Sequence, residues 1–373
     1  MRRLVAVLGA TLALLAALDL GVARYLARQA SPQDPDALRT RTFRQLAFLQ
    51  FAQLIGDARG AAVRAYERWS QLPKRKAPHE SRVFFVSDSA GLFAVEPRLV
   101  EARLRDAVPG QAVSVTSLMV PGAHAGDLEH LVQAALAKQA DVVVTLIGLV
   151  SLSAERSFGT DLIEDLFDLP RTGSGASSFE ARADRFLVRN WRLYRARGLL
   201  RAETSRLMAR VTGRAEREGA RVEAAFTAIQ AAARSKDVAA VVRAYREHSF
   251  PGLPGRVTPP PLHPDVVAAL ERSAREVEAA GAIGVAVFLP VNPIFRDPAA
   301  ERDGNRVDDA AVKERARSVL DIFRAHGWAV EDDIDALPPE DFIDLVHVNG
   351  DGMERFGVKL IPLVFNAVTG ASP

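Results

Sequence analysis

Three short apolar runs with helix-forming stretches between them constrain this chain most. Val83-Phe-Phe-Val86 reads as a buried strand, Ala112–Val120 is rich in β-formers, and Asp141-Val-Val-Val-Thr-Leu-Ile147 is again continuously apolar. Pro97–Ala107 and Asp127–Gln139 separate them as helices, with Asp127 placed as the N-cap of the second. Strand–helix alternation at this pace predicts a parallel sheet with right-handed crossovers and helices on both faces. The pattern resumes with a strand at Gly284–Leu289, a helix at Val312–His326 and a short strand at Trp328–Val330, and it closes with a helix from Met353 onward.

Between the two blocks lies a different composition. Residues of about 155–280 are mostly Arg-, Ala- and Glu-rich helix, broken at Gly173-Ser-Gly175, Pro251–Gly255 and Pro259-Pro-Pro261. This region is expected to be a helical insertion in the α/β domain. Within it Phe186–Tyr194 is an amphipathic segment of bulky residues.

The N-terminus carries the apolar stretch Leu4–Ala23, interrupted by Asp19 and preceded by Arg2 and Arg3. About 20 residues are needed to cross the hydrocarbon as a helix. An uncleaved membrane anchor is the first expectation, with Asp19 near the outer interface. A cleaved signal peptide and a buried helix are the alternatives. The two arginines favour a cytoplasmic N-terminus, so the remainder would be extracytoplasmic. The expected organisation is an anchor over 1–30, a helical linker over 31–80, and an α/β domain over 81–373. In the linker Leu38–Leu72 reads as helix, ended by the basic hexamer Pro73–Pro78, a solvated connection.

Composition narrows the chemistry. The chain has no cysteine, which excludes thiolate metal sites and cysteine nucleophiles. A net charge of +2 implies no nucleic-acid partner. No His-Glu-x-x-His and no phosphate loop is present, so neither metal nor cofactor is expected.

Two motifs at strand ends carry the functional expectation. Val86 opens onto Ser87-Asp88-Ser89-Ala90-Gly91, and the C-terminal run Phe342–Gly352 contains Asp344-Leu-Val-His347. A serine hydroxyl is a weak nucleophile until a neighbouring base takes its proton, and an acid three residues before the histidine can orient that base. Ser89, His347 and Asp344 are the candidate nucleophile, base and acid. Ser-Asp-Ser alone would suit turn and cap chemistry, and Asp-x-x-His alone an acidic cap. The ordered pair at strand ends favours catalysis. His124 lies in the loop Pro121–Gly126 and could approach the same site, with an exposed loop histidine as the simpler reading.

This order resembles the SGNH/GDSL hydrolase superfamily. Ser89 matches that family's first-block nucleophile and Asp344 and His347 its final Asp-x-x-His. Gly122 is similar to the second-block oxyanion glycine, which would act with the Ser89 backbone N–H. The likeness covers roughly residues 80–150 and 280–360. It implies a three-layer, flavodoxin-like sheet. The apolar N-terminus, Phe288-Leu-Pro-Val-Asn-Pro293 and the C-terminal run resemble anchored members that work beside membrane-bound O-acyltransferases, such as D-alanyl-transfer proteins of teichoic acid synthesis and alginate O-acetylation proteins. The resemblance implies an extracytoplasmic (periplasmic) acyl-ester hydrolase or O-acyltransferase held at the cytoplasmic membrane. Its partners would be an acyl donor and a carbohydrate or polyol acceptor in a cell-envelope polymer. A non-catalytic partner of a membrane-bound O-acyltransferase is the alternative.

Two positions depart from the pattern. Ser87 replaces the first-block glycine. The third block should read Gly-x-Asn-Asp, and here it is Gly148-Leu149-Val150-Ser151. Val150 has no donor for an oxyanion. Ser151 and Ser153 are the nearest hydroxyls that could stand in.

Overall fold

The computed structural model describes residues 2–30, 58–108, 110–152, 160–167, 179–213, 231–235, 237–248, 261–297 and 307–370, with isolated positions between 220 and 228. Thirteen α-helices are present among them: α1 (Arg2–Ala30), α2 (Ala58–Gln71), α3 (Ser89–Ala94), α4 (Pro97–Ala107), α5 (Ala125–Leu136), α6 (Thr160–Phe167), α7 (Phe179–Asn190), α8 (Arg192–Arg195), α9 (Arg197–Val211), α10 (Val238–His248), α11 (Pro264–Ala279), α12 (Asp309–Ala325) and α13 (Gly350–Thr369). The strands are β1 (Glu80–Ser87), β2 (Ala112–Met119), β3 (Val142–Ile147), β4 (Ile283–Phe288) and β5 (Ala329–Asp332).

The strands form one parallel sheet in the order β2-β1-β3-β4-β5. From β1 the chain moves one way to β2, then reverses and steps past β1 to β3, β4 and β5. Right-handed crossovers then put helices on both faces. α5, α11 and α12 pack side by side in one layer, while α13 packs on α3 and α4 in the other. β1 and β3 are buried on both faces, which explains their uninterrupted apolar runs. The reversal between β1 and β3 is a topological switch point, where open α/β sheets form crevices at their carboxyl ends.

A buried arginine fastens the entry to this sheet. Arg82 on β1 is fully buried, and its guanidinium donates to the carbonyls of Pro73 (2.9 Å), Lys138 (2.8 Å) and Arg75 (3.1 Å) and to the Glu80 carboxylate (3.0 and 3.1 Å). The basic linker is therefore held by its backbone while its side chains stay exposed. The upstream part of the expected linker helix, 38–57, lies outside the described residues, and α2 forms its end.

In the middle region α6 to α10 are helical as expected, and the amphipathic segment Phe186–Tyr194 is divided between two helices. It breaks at Trp191, whose φ of −124° and ψ of 105° separate α7 from α8. α11, the last helix before β4, packs against α5 in the sheet layer. α1 packs against α2 and α8. Asp19 does not stand apart from the folded domain: its Oδ1 accepts the N–H of Leu193 in the first turn of α8 at 2.8 Å. That contact gives a carboxylate in an apolar run a donor at the positive end of a helix. Among the described residues no helix is long and apolar enough to cross a membrane. The side chains of residues 2–9, which carry part of the Leu4–Ala23 run, lie outside them.

Candidate active site

The carboxyl edge of β1 delivers Ser89. Val120 N–H bonds the Ser87 carbonyl at 3.0 Å, so β1 stays paired to its last residue. Ser87 hydroxyl donates to the Leu146 carbonyl of β3 at 2.7 Å and is fully buried. The Ser87 side chain thus ties β1 to β3. Asp88 then caps α3, and its Oδ1 accepts from Ala90 N–H at 2.8 Å and from Gly91 N–H at 3.4 Å. The cap takes those two donors and not the N–H of Ser89, the first helical residue, which no turn of α3 can satisfy. Ser89 itself is only partly buried.

The neighbouring glycine is dictated by contact. A Cβ on Gly148 would lie 2.8 Å from Asp88 Oδ2 and 3.1 Å from Oδ1, so only hydrogen fits there. Asp88 is buried. Burial pushes its carboxyl above the ordinary range, and His347, the hydrogen bonds from Ala90 and Gly91, and His124 pull it partly back.

The second motif arrives from between β5 and α13. Its loop is pinched by an antiparallel bridge between Phe342 and Val348, and Ile343 N–H bonds the His347 carbonyl at 2.7 Å. Asp344 Oδ1 accepts the backbone N–H groups of Val346 and His347, each at 2.9 Å. His347 Nδ1 lies 2.8 Å from Asp344 Oδ2 and 3.0 Å from Oδ1. An ionised carboxylate only accepts, so Nδ1 carries the proton and Nε2 presents a lone pair. His347 Nε2 is 2.9 Å from Ser89 Oγ. The expected nucleophile, base and acid, 258 residues apart at their widest hydrogen bond, thus form one continuous chain.

Three further side chains hold the His347 loop. Asn292 and Asn349 lie in runs already marked in the sequence, where neither was given a role, and Phe93 was not singled out. Asn292 follows β4, is fully buried, and donates from Nδ2 to the Asp344 carbonyl at 3.1 Å, while its own N–H bonds Leu345 O at 2.9 Å. Asn349 donates to Glu340 O at 2.6 Å and caps α13 by accepting Gly352 N–H at 3.0 Å. Phe93 of α3 packs edge-on against the His347 ring, with centroids 5.3 Å apart. An asparagine between Val291 and Pro293 at a strand end was the available signal for the first.

The expected oxyanion side is assembled only in part. Gly122 sits in the turn after β2 with φ of +75°, a conformation that glycine adopts without strain. That turn borders the loop carrying Ser89. Ser151 does not serve as the stand-in donor: its hydroxyl is fully buried and donates to Gly148 O at 2.7 Å. Ser153 lies outside the described residues. His124, not Asp127, is the N-cap of α5, and Asp127 at the third helical position accepts the His124 N–H at 3.0 Å.

A shallow apolar groove between α4 and α13, lined by Leu99, Val100, Met353, Val358 and Ile361, is separate from these side chains and includes none of them. No group of three or more His, Asp or Glu among the described residues is placed to hold a metal ion. The arrangement is one that can transfer a proton from a hydroxyl to an imidazole and stabilise the resulting imidazolium. No protein-family model matches the chain, and no curated protein matches it.

Proposed function

We propose that this protein is a serine-dependent acyl-ester hydrolase or O-acyltransferase of the SGNH/GDSL type. The 2.9 Å approach of His347 Nε2 to Ser89 Oγ, with Asp344 behind the ring at 2.8 Å, is the observation that supports it. In the first half-reaction His347 takes the Ser89 proton as Oγ bonds the ester carbonyl carbon. The tetrahedral oxyanion forms facing the backbone N–H groups of Ser89 and Gly122. It collapses by breaking the bond to the alkoxide, which leaves with the proton from His347. In the second half, water or an acceptor hydroxyl gives its proton to His347, bonds the acyl carbon and expels Ser89, which regains that proton.

Within this reading Leu4–Ala23 is a membrane anchor, the catalytic domain is extracytoplasmic, and the acceptor is a cell-envelope glycan or polymer. A membrane-bound O-acyltransferase would be the partner that supplies acyl groups.

A fluorophosphonate probe tests the core of the proposal. Labelling of the full chain that disappears in Ser89→Ala and in His347→Ala is the expected result. A folded wild-type chain that takes no label would leave the non-catalytic partner as the better reading, which the apolar Val150 in the third block favours. Extraction of membranes with alkaline carbonate tests the anchor: the chain should remain in the pellet.

A further inference from the structure

An oxyanion hole built only from backbone N–H groups would take no side-chain donor from the described residues that follow β3. Val150 offers none, and the Ser151 hydroxyl is already committed to Gly148 O. The other flank is richer. β1 lies between β2 and β3, so the loops after those two strands leave the sheet on either side of the turn that carries Ser89. The loop after β2 turns sharply, with Ala123 N–H on Val120 O at 3.1 Å and Gly122 at positive φ, and it ends at His124.

His124 is held by its backbone. Its N–H is taken by Asp127 Oδ2 at 3.0 Å, and its φ of −108° is that of an extended N-cap. The ring is partly exposed, while Nδ1 is buried and faces the Asp127 N–H across a capping box without closing a full hydrogen bond to it. At an N-cap, the side-chain atom turned inward faces the N–H groups of the first turn and is poised to accept. With Nδ1 accepting there, the ring proton would sit on Nε2. Asp88 precedes Ser89, and both His347 and His124 lie near enough to pull its buried carboxyl downward.

We propose that the His124 side chain is the oxyanion donor that Val150 cannot be, giving an Nε2–H hydrogen bond to the tetrahedral intermediate from the β2 side. The role rests on the acyl-transfer reading above. His124 takes no proton and forms no bond to the acyl group; it only donates a hydrogen bond that strengthens as the carbonyl oxygen becomes anionic. The positive end of α5 behind it acts in the same sense.

The test uses the full chain with 4-nitrophenyl acetate. Loss of one oxyanion donor costs about 10²–10³ in kcat, so His124→Ala should fall by that factor with KM nearly unchanged. Two further variants separate donation from capping. His124→Gln carries an amide N–H close to the position of ring Nε2 but caps poorly, whereas His124→Ser caps well but cannot reach. Recovery of most of kcat by Gln and not by Ser, with thermal melts moving in the opposite order, is the expected outcome. Recovery by Ser and not by Gln would reduce His124 to a helix cap. A kcat in His124→Ala within about threefold of wild type would also overturn the proposal while leaving the Ser89 reaction intact, a margin far below the donor effect. If wild type itself neither hydrolyses the ester nor takes a fluorophosphonate at Ser89, the acyl-transfer reading falls and this inference falls with it.

Discussion

Asn292 donates its side-chain N–H to the backbone carbonyl of Asp344, 3.1 Å away and 52 positions later in the chain. The contact joins the end of β4 to the loop that carries the acid and the base, and both residues are buried. The arrangement of Ser89, His347 and Asp344 is therefore tied to the sheet and not to the loop alone. A second bond, Asn292 N–H to Leu345 O at 2.9 Å, makes the attachment bidentate.

Replacing Asn292 by Ala should leave the Asp344 carbonyl buried without its donor. Such a loss costs about 1–3 kcal/mol of stability. The catalytic effect should appear in kcat and not in KM, since Asn292 acts through the loop. Urea unfolding and ester hydrolysis measured side by side check both. An unchanged unfolding midpoint would show that the sheet does not hold the loop through this side chain.

Gly148 and Asp88 make a second coupled pair. A methyl group at Gly148 would meet Asp88 Oδ2 at 2.8 Å, so Gly148→Ala must displace either β3's terminal loop or the cap of α3. Overpacking of this kind costs about 1–3 kcal/mol. The cost should be smaller in a chain that already carries Asp88→Ala, because the clashing oxygens are gone. A double-mutant cycle measures that coupling. Simple additivity would mean the two loops accommodate the methyl elsewhere.

The fold was legible in the sequence because two-sided burial writes itself as uninterrupted apolar runs, which is why Val83–Val86 and Val142–Ile147 mark β1 and β3. Ser89, Asp344 and His347 were legible for a related reason: each stands at a strand end or in a short local motif. What failed was non-local or a matter of caps. Asp127 is a better N-cap residue than histidine by propensity, yet the chain places it at the third helical position, where it reaches back to His124 N–H. The break at Trp191 is followed by a turn whose Leu193 N–H donates to Asp19, 174 positions earlier, which no local pattern announces. Ser151 looked available only because its partner, the Gly148 carbonyl, is invisible until the turn is formed.

Asp88 should give the protein a measurable pH dependence of stability. Burial raises its carboxyl above the ordinary value of 3.8, with His347 and the two cap hydrogen bonds opposing the shift. A carboxyl raised on folding binds its proton more tightly in the folded state. Its contribution to stability is complete below the unfolded value and is lost as pH rises through the folded one. Glu276, Asp333 and Asp341 are also raised, so the difference between wild type and Asp88→Asn is the informative quantity. Asparagine keeps the cap acceptor and does not titrate. Wild type should lose stability relative to the variant from about pH 4 upward, then run parallel to it. A difference that stays flat across that window would mean Asp88 has the same affinity for its proton in both states.

Asp344→Asn provides the sharpest test of how the base is set. Oδ1 of Asp344 is held by the N–H groups of Val346 and His347 at 2.9 Å each, so an asparagine should keep its carbonyl oxygen there. Its NH₂ would then occupy the Oδ2 position, 2.8 Å from His347 Nδ1. A donor at that point forces Nδ1 to accept, which moves the ring proton to Nε2. The imidazole would face Ser89 as a donor and could no longer take its proton. An equivalent change in the serine-protease triad costs about 10⁴ in kcat with the geometry intact, and a loss of that order is expected here. Fluorophosphonate labelling of Ser89 should fall in parallel, while the melting temperature shifts little. Raising the pH should restore part of the rate, because hydroxide can remove the serine proton when the ring cannot. Full activity in Asp344→Asn at neutral pH would show that the tautomer is fixed by something other than this carboxylate.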